Sequence, residues 1–196
     1  MINSATLQSP FAANGTRADA AAPNPADILE HCRALVTPAL RAAISRLHPD
    51  VGLTAAFSLG WCAEDGTPIE GASGKGLRPA LALLSARAAG APPEVATAAA
   101  VAVELVHAFS LVHDDIMDGD ERRRHRPTVW RAFGTGSAVL TGDALLALAV
   151  DVLGERAATA GLGSARILST TLVDLVNGQA EDLSFETRPW IGQDFL

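Results

Sequence analysis

From Val95 to Val112 the chain runs 18 residues with only Glu104 and His107 carrying titratable side chains, and then meets Asp114, Asp115 and Asp118. An apolar run of that length is too long for an ordinary strand. It is close to the length of a membrane span. Its alanines, its two internal titratable residues and the carboxylates at its end point instead to a helix buried in a protein core. Composition agrees: Ala (38) and Leu (24) dominate, Tyr is absent and aromatics make up 5%. A β-sandwich or barrel would want β-branched and aromatic residues, whereas this mix favours packed helices. With 48% hydrophobic and 19% charged residues the chain is not disordered as a whole. The expectation is an all-α bundle with one long central helix carrying the acids, and no integral membrane segment.

The net charge is −7, from 15 basic and 22 acidic residues, so the chain lacks the basic footprint of a nucleic-acid binder. The local distribution is more informative. Arg122, Arg123, Arg124 and Arg126 follow directly on the acids, and the chain's one lysine is Lys75. Cys32 and Cys62 have no metal-ligand spacing and read as two thiols. Residues 1–25, rich in Ala, Asn, Ser and Pro, read as a disordered leader, neither signal peptide nor anchor. That places the protein in the cytoplasm and leaves 26–196 as the helical domain.

Proline and glycine divide that domain. A helix is expected from Ala26 to about Leu47 with a kink at Pro38, a break over 48–52, and a helix over 53–62. A glycine-rich loop over 64–76 leads to a helix with Pro79 in its first turn. A long helix from about Glu94 to Asp118, a charged loop to about Thr128, and helices near 137–160 and 164–185 complete the sketch.

At 100° per residue Asp114 and Asp118 share one face, one turn apart, with Glu104 and His107 on nearly the same stripe. Two carboxylates at that spacing repel, and an acidic helix C-terminus has the wrong sign for the helix dipole. A divalent cation between them removes both objections; a solvated helix end is the alternative. Oxygen-only ligands suit Mg2+, which commonly bridges carboxylates to phosphates. Guanidinium groups bind phosphate oxygens bidentately, so the adjoining arginines complete a diphosphate clamp. For Arg122 and Arg126, salt bridges to Asp120 and Glu121 are the simpler reading. A second basic site, Gly74-Lys75-Gly76-Leu77-Arg78-Pro79, lies at a helix start, where backbone N–H groups favour anions.

In this order and spacing, GKGLRP, ELVHAFSLVHDDIMD, RRRHRPTVW and TGDALLALA resemble the trans-prenyl diphosphate synthases, the polyprenyl synthetase family, over residues 26–187. The likeness is strongest to short-chain farnesyl and geranylgeranyl diphosphate synthases. It implies an isoprenoid-synthase-type helical bundle, of which this chain supplies the N-terminal portion. It implies a prenyltransferase that joins isopentenyl diphosphate to an allylic diphosphate with Mg2+, and it allows a homodimer. Carried over by position, Asp114 and Asp118 ligate Mg2+ and Asp115 supports them. Arg123 contacts the allylic diphosphate. Lys75, Arg78, His107 and Arg124 hold the diphosphate of isopentenyl diphosphate, and Gln179 borders the pocket. His113 is read as structural.

Phe109 lies five residues before Asp114, roughly 7–8 Å along the helix axis. In the resemblance it floors the pocket and favours a geranylgeranyl product. Departures from the family pattern are Gly76, where a basic residue is common, His125 in place of Gly, and Trp130 in place of His. No second aspartate-rich motif follows Asp182. The expectation is therefore a truncated chain of weak or no activity. A non-catalytic partner subunit of a full synthase is the alternative, and a class I terpene cyclase a more distant one.

Overall fold

The computed structural model describes residues 24–69, 76–155 and 163–187. The expected leader up to residue 23, and Lys75, lie outside these. The chain divides into two compact units, Met1–Val152 and Leu153–Leu196.

In the first unit, helix α1 spans Pro25–Ile44 and continues through Pro38. Asn24 caps it by accepting from the Ala26 N–H at 3.1 Å, and Pro25 takes the first-turn position where its missing N–H costs nothing. Cys32, Val36, Leu40, Ala43 and Ile44, three or four residues apart, form its buried stripe. Helix α2 spans Pro49–Ser58. The expected break over 48–52 is instead its first turn: His48 Nδ1 accepts from the Asp50 N–H at 3.4 Å, and Pro49 starts the helix. A Pro read as a breaker serves here as an initiator.

Helix α3, Leu77–Ala88, starts at Gly76, whose φ of 65° lies in the left-handed region. A side chain there would collide with the stem of Arg33, whose Cγ would lie 2.9 Å from an added Cβ. A 3-10 turn, Pro93–Ala96, leads into α4, Thr97–Met117. By length and composition α4 with its 3-10 turn, and the helix Thr135–Glu155, are long and apolar enough to cross a membrane. In this fold α4 packs against α1, α3 and α5, and buries Ala100, Val101, Ala102, Leu105, Ala108 and Val112.

The segment expected as a plain charged loop contains a two-residue antiparallel ladder. Strands β1, Arg122–Arg123, and β2, Arg126–Pro127, pair Arg122 with Pro127 and Arg123 with Arg126. Arg124 (φ 50°) and His125 (φ 66°) form the turn, both left-handed. Helix α5, Val129–Phe133, and helix α6, Thr135–Glu155, follow. Under the hairpin, Phe57, Cys62, Val112, Val129 and Ala138 make a compact apolar cluster. The buried Thr54 and Thr141 hydroxyls meet at 2.5 Å and join α2 to α6. Cys32 and Cys62 are free and buried, and burial pushes both thiols up. The second unit contains α7, Gly163–Thr187.

Candidate active site

The carboxylates occupy the last turn of α4. Asp118 ends the helix, its N–H donating to the Asp114 carbonyl at 2.9 Å. Asp114 is half-buried and Asp118 exposed. Asp115 points the other way and is buried, at 4% exposure. Its Oδ1 accepts from Arg123 Nε at 2.7 Å, while Arg123 Nη2 lies 3.6 Å from Asp114 Oδ2. Burial pushes the Asp115 carboxyl up, and the bond to Arg123 pulls it down. The side chain is thus the anchor of Arg123. It grips the Nε edge of the guanidinium and sets the terminal nitrogens beside Asp114.

The hairpin holding Arg123 and Arg124 is itself fixed to the core. Arg126 Nη2 donates to the Cys62 carbonyl at 2.6 Å, and its guanidinium lies 4.6 Å over the Phe57 ring. The Asp120 carbonyl accepts from both Thr128 Oγ1 and Trp130 Nε1 at 2.8 Å. Neither Arg122 nor Arg126 makes the bridge to Asp120 or Glu121 that its neighbours in sequence suggest. Arg122 donates to the His125 carbonyl at 3.3 Å, and Glu121 faces Arg131 at 3.5 Å. The pinning role of Arg126 left no trace in the sequence because its partners, Cys62 and Phe57, are more than sixty residues away.

One face of α4 gathers the remaining cations. His107 is held neutral, its pKa lowered to about 4 by burial and by Arg78, Arg124 and Arg123. Burial pushes the Glu104 carboxyl up, while Arg78 and Arg124 pull it down. The structure therefore brings Arg78 from α3, His107 from α4 and Arg123 and Arg124 from the hairpin into one electrostatic neighbourhood. Glu104, on the same stripe of α4 as His107, supplies the carboxylate that Arg78 and Arg124 act upon. A cavity of about 330 Å3 lies against this cluster, with Leu59, Leu111, Val112 and Val129 as apolar walls and Arg123 and Arg124 at its edge. Phe109 is partly buried on another face of α4. Gln179 lies on α7 in the second unit, on a surface shared with Asp182 and Phe185.

The donor set fits Mg2+. Asp114 and Asp118 offer only oxygen, one turn apart, and among the described residues no third His, Cys or carboxylate joins them in a metal-binding group. Two carboxylates without a closed protein cage suit a cation that completes its shell with water and phosphate oxygens. A closed nitrogen or sulfur site would suit zinc instead.

The fold is the all-α isoprenoid synthase bundle, with an aspartate-bearing helix end facing an arginine hairpin. Residues 61–193 match the family described as Polyprenyl synthetase. The chain is 47% identical over 160 residues to the (2E,6E)-farnesyl diphosphate synthase of Mycobacterium tuberculosis strain ATCC 25618 / H37Rv, covering 82% of this chain and 45% of that protein. It is 42% identical over 175 residues to the geranylgeranyl diphosphate synthase of the same strain, covering 87% and 50% respectively. Among solved structures, a polyprenyl synthetase from Streptomyces coelicolor A3(2) superposes with a TM-score of 0.80 at 51% identity, over 84% of this chain and 49% of that one. The chain belongs to the polyprenyl synthetase family. It spans about half the length of the curated relatives it matches.

Proposed function

We propose that this protein acts as a prenyltransferase, joining isopentenyl diphosphate to an allylic diphosphate. The observation that carries this reading is the meeting of Arg78, His107, Arg123 and Arg124 beside a helix end bearing Asp114 and Asp118. A set of three arginines and a histidine beside two carboxylates offers enough donors for the two diphosphates that such a reaction requires. A terpene cyclase, with one diphosphate substrate, has no use for Arg78 and Arg124 in that place.

Asp114 and Asp118 would hold Mg2+, which when bound would supply positive charge beside the departing diphosphate. Arg123, locked by Asp115, presents its terminal N–H groups to the allylic diphosphate and stabilises the charge that grows on it as the C–O bond breaks. Arg78 and Arg124 hold the second diphosphate, with Lys75 assigned to the same task by its place in the glycine loop. His107, neutral, offers an N–H donor without adding to the charge of the arginine cluster. The apolar wall of Leu59, Leu111 and Val112 excludes water from the carbocation; the double bond of isopentenyl diphosphate attacks it, and the released diphosphate takes up the proton that is lost. Phe109 assigns the product as geranylgeranyl diphosphate.

The test is incubation of the purified chain with Mg2+, isopentenyl diphosphate and each of dimethylallyl, geranyl and farnesyl diphosphate, with products separated by chain length. Geranylgeranyl diphosphate is the expected product, formed at most weakly by this chain, which spans about half the length of its relatives, and its formation is abolished by EDTA and by Asp114→Ala. The similar proteins carry both farnesyl and geranylgeranyl names, so a farnesyl product would correct the role given to Phe109 alone. Calorimetry with inorganic diphosphate and Mg2+ reads the site independently of turnover. Absence of Mg2+-dependent diphosphate binding overturns the reading.

A further inference from the structure

His113 is the one histidine of α4 that the chemistry above does not use, and it sits where that helix needs support. The carbonyls of a last helical turn have no intrahelical partners, and the carboxylates of Asp114 and Asp118 oppose the helix dipole there. The turn is tied on two flanks. On one, Asp115 Oδ1 accepts from Arg123 Nε at 2.7 Å. On the other, His113 Nε2–H donates to the Val139 carbonyl of α6 at 3.2 Å, with Asp143 Oδ1 3.8 Å from the same nitrogen. The imidazole also rests on the bare Cα of Gly142: a Cβ built there would overlap Nε2 and Cδ2. Glycine at 142 therefore makes room for this ring. Phe109, one turn earlier on α4, meets the imidazole edge to face, with centroids 4.9 Å apart and planes at 69°, and closes it in from a third side.

We propose that His113, keyed onto Gly142 of α6, is a positioning residue for Asp114 and Asp118: it fixes the rotation of the last turn of α4 and so the direction in which both carboxylates face a cation. This rests on the prenyltransferase reading, in which those two residues hold Mg2+. In a helix Asp114 lies about 100° from His113 on one side and about 100° from Asp115 on the other. The cation-facing carboxylates thus stand between the two ties, with Asp118 one turn on from Asp114. Asp115 by itself is a single tether, about which the turn still rolls. His113 adds a second one, on the opposite flank and to a different element, since Asp115 is bound to the hairpin and His113 to α6. Mg2+ demands near-octahedral geometry, and a site with two protein carboxylates has no third to compensate when one swings away.

The experiment measures by calorimetry the dissociation constant of inorganic diphosphate for the whole chain, once with saturating Mg2+ and once in EDTA. The factor by which Mg2+ tightens binding isolates what the cation on the carboxylates contributes, because the arginines act in both arms. His113→Ala is expected to lower this factor about tenfold, the low end of what losing a ligand-orienting partner costs, and to leave the EDTA value within about twofold of wild type. Gly142→Ala, which drives a methyl into the imidazole, is expected to do the same. Added to His113→Ala it should change little more, since no imidazole is left to displace. A merely structural lesion would instead weaken both arms together. Should His113→Ala fail to fold by circular dichroism, His113→Asn, too short to reach the Val139 carbonyl, takes its place. Folded variants that keep the wild-type factor, or effects of the two substitutions that simply add, overturn the proposal. A wild-type chain whose diphosphate affinity does not respond to Mg2+ overturns the reading beneath it.

Discussion

Asp115 and Arg123 show how a residue's neighbours in space can reverse what its neighbours in sequence suggest. Three aspartates within five positions look like one ligand set, but one is turned inward and holds an arginine. Replacing Arg123 with Ala strands a buried carboxylate, a loss of about 2 kcal/mol, visible as a lower midpoint in urea. Asp115→Asn keeps the volume and should cost less stability while weakening diphosphate binding through a loosened Arg123. His107 provides a pH signature. Its unfolded value is 6.5 and its folded value about 4, so between these the unfolded chain binds more protons. Stability therefore falls as pH drops from about 6.5 toward 4, and His107→Gln should flatten that slope in pH-dependent melts. His125 carries a strain that the sequence hinted at only as a departure from glycine. Its φ of 66° beside Arg124 at 50° makes the turn of a type I′ hairpin, where L side chains are unfavourable. His125→Gly should raise stability by about 1 kcal/mol.

Among the elements, α4 was the most legible, because its apolar run ends in charge and its length excludes a strand. Leu105, fully buried in its middle, should cost about 2–5 kcal/mol as Ala. The start of α2 was misplaced because His-Pro-Asp reads as a turn until the histidine is seen to cap. The hairpin was illegible for a different reason: two residues per strand leave no alternation to detect, and its stability comes from Arg126 reaching back to Cys62 and Phe57. The Thr54–Thr141 contact joins α2 to α6 across 87 positions, a pairing that no local pattern announces. Thr141→Val leaves the Thr54 hydroxyl without this partner and should cost about 1–2 kcal/mol in a thermal melt.

For the molecule as a whole, the helical class, the aspartate face and the arginine cluster were visible in the sequence; what was not visible was which side chains hold those of the candidate site still. The two units also differ in how they bury their residues. The described residues of α7 are exposed or half-exposed throughout, while α4 buries seven residues between Ala100 and Asp115. Amide hydrogen exchange should therefore reach α7 well before α4.

Arg123 and the two outer arginines differ in one further respect. The former is paired with a buried carboxylate, whereas Arg78 and Arg124 face solvent. Dissolved ions screen exposed charges far more than enclosed ones. Ionic strength should thus act unequally on Arg123 and on these two arginines. On the proposed prenyltransferase reading, as potassium chloride rises, affinity for the diphosphate assigned to Arg78 and Arg124 should weaken first and that for the diphosphate assigned to Arg123 later, so that salt alone would separate the two.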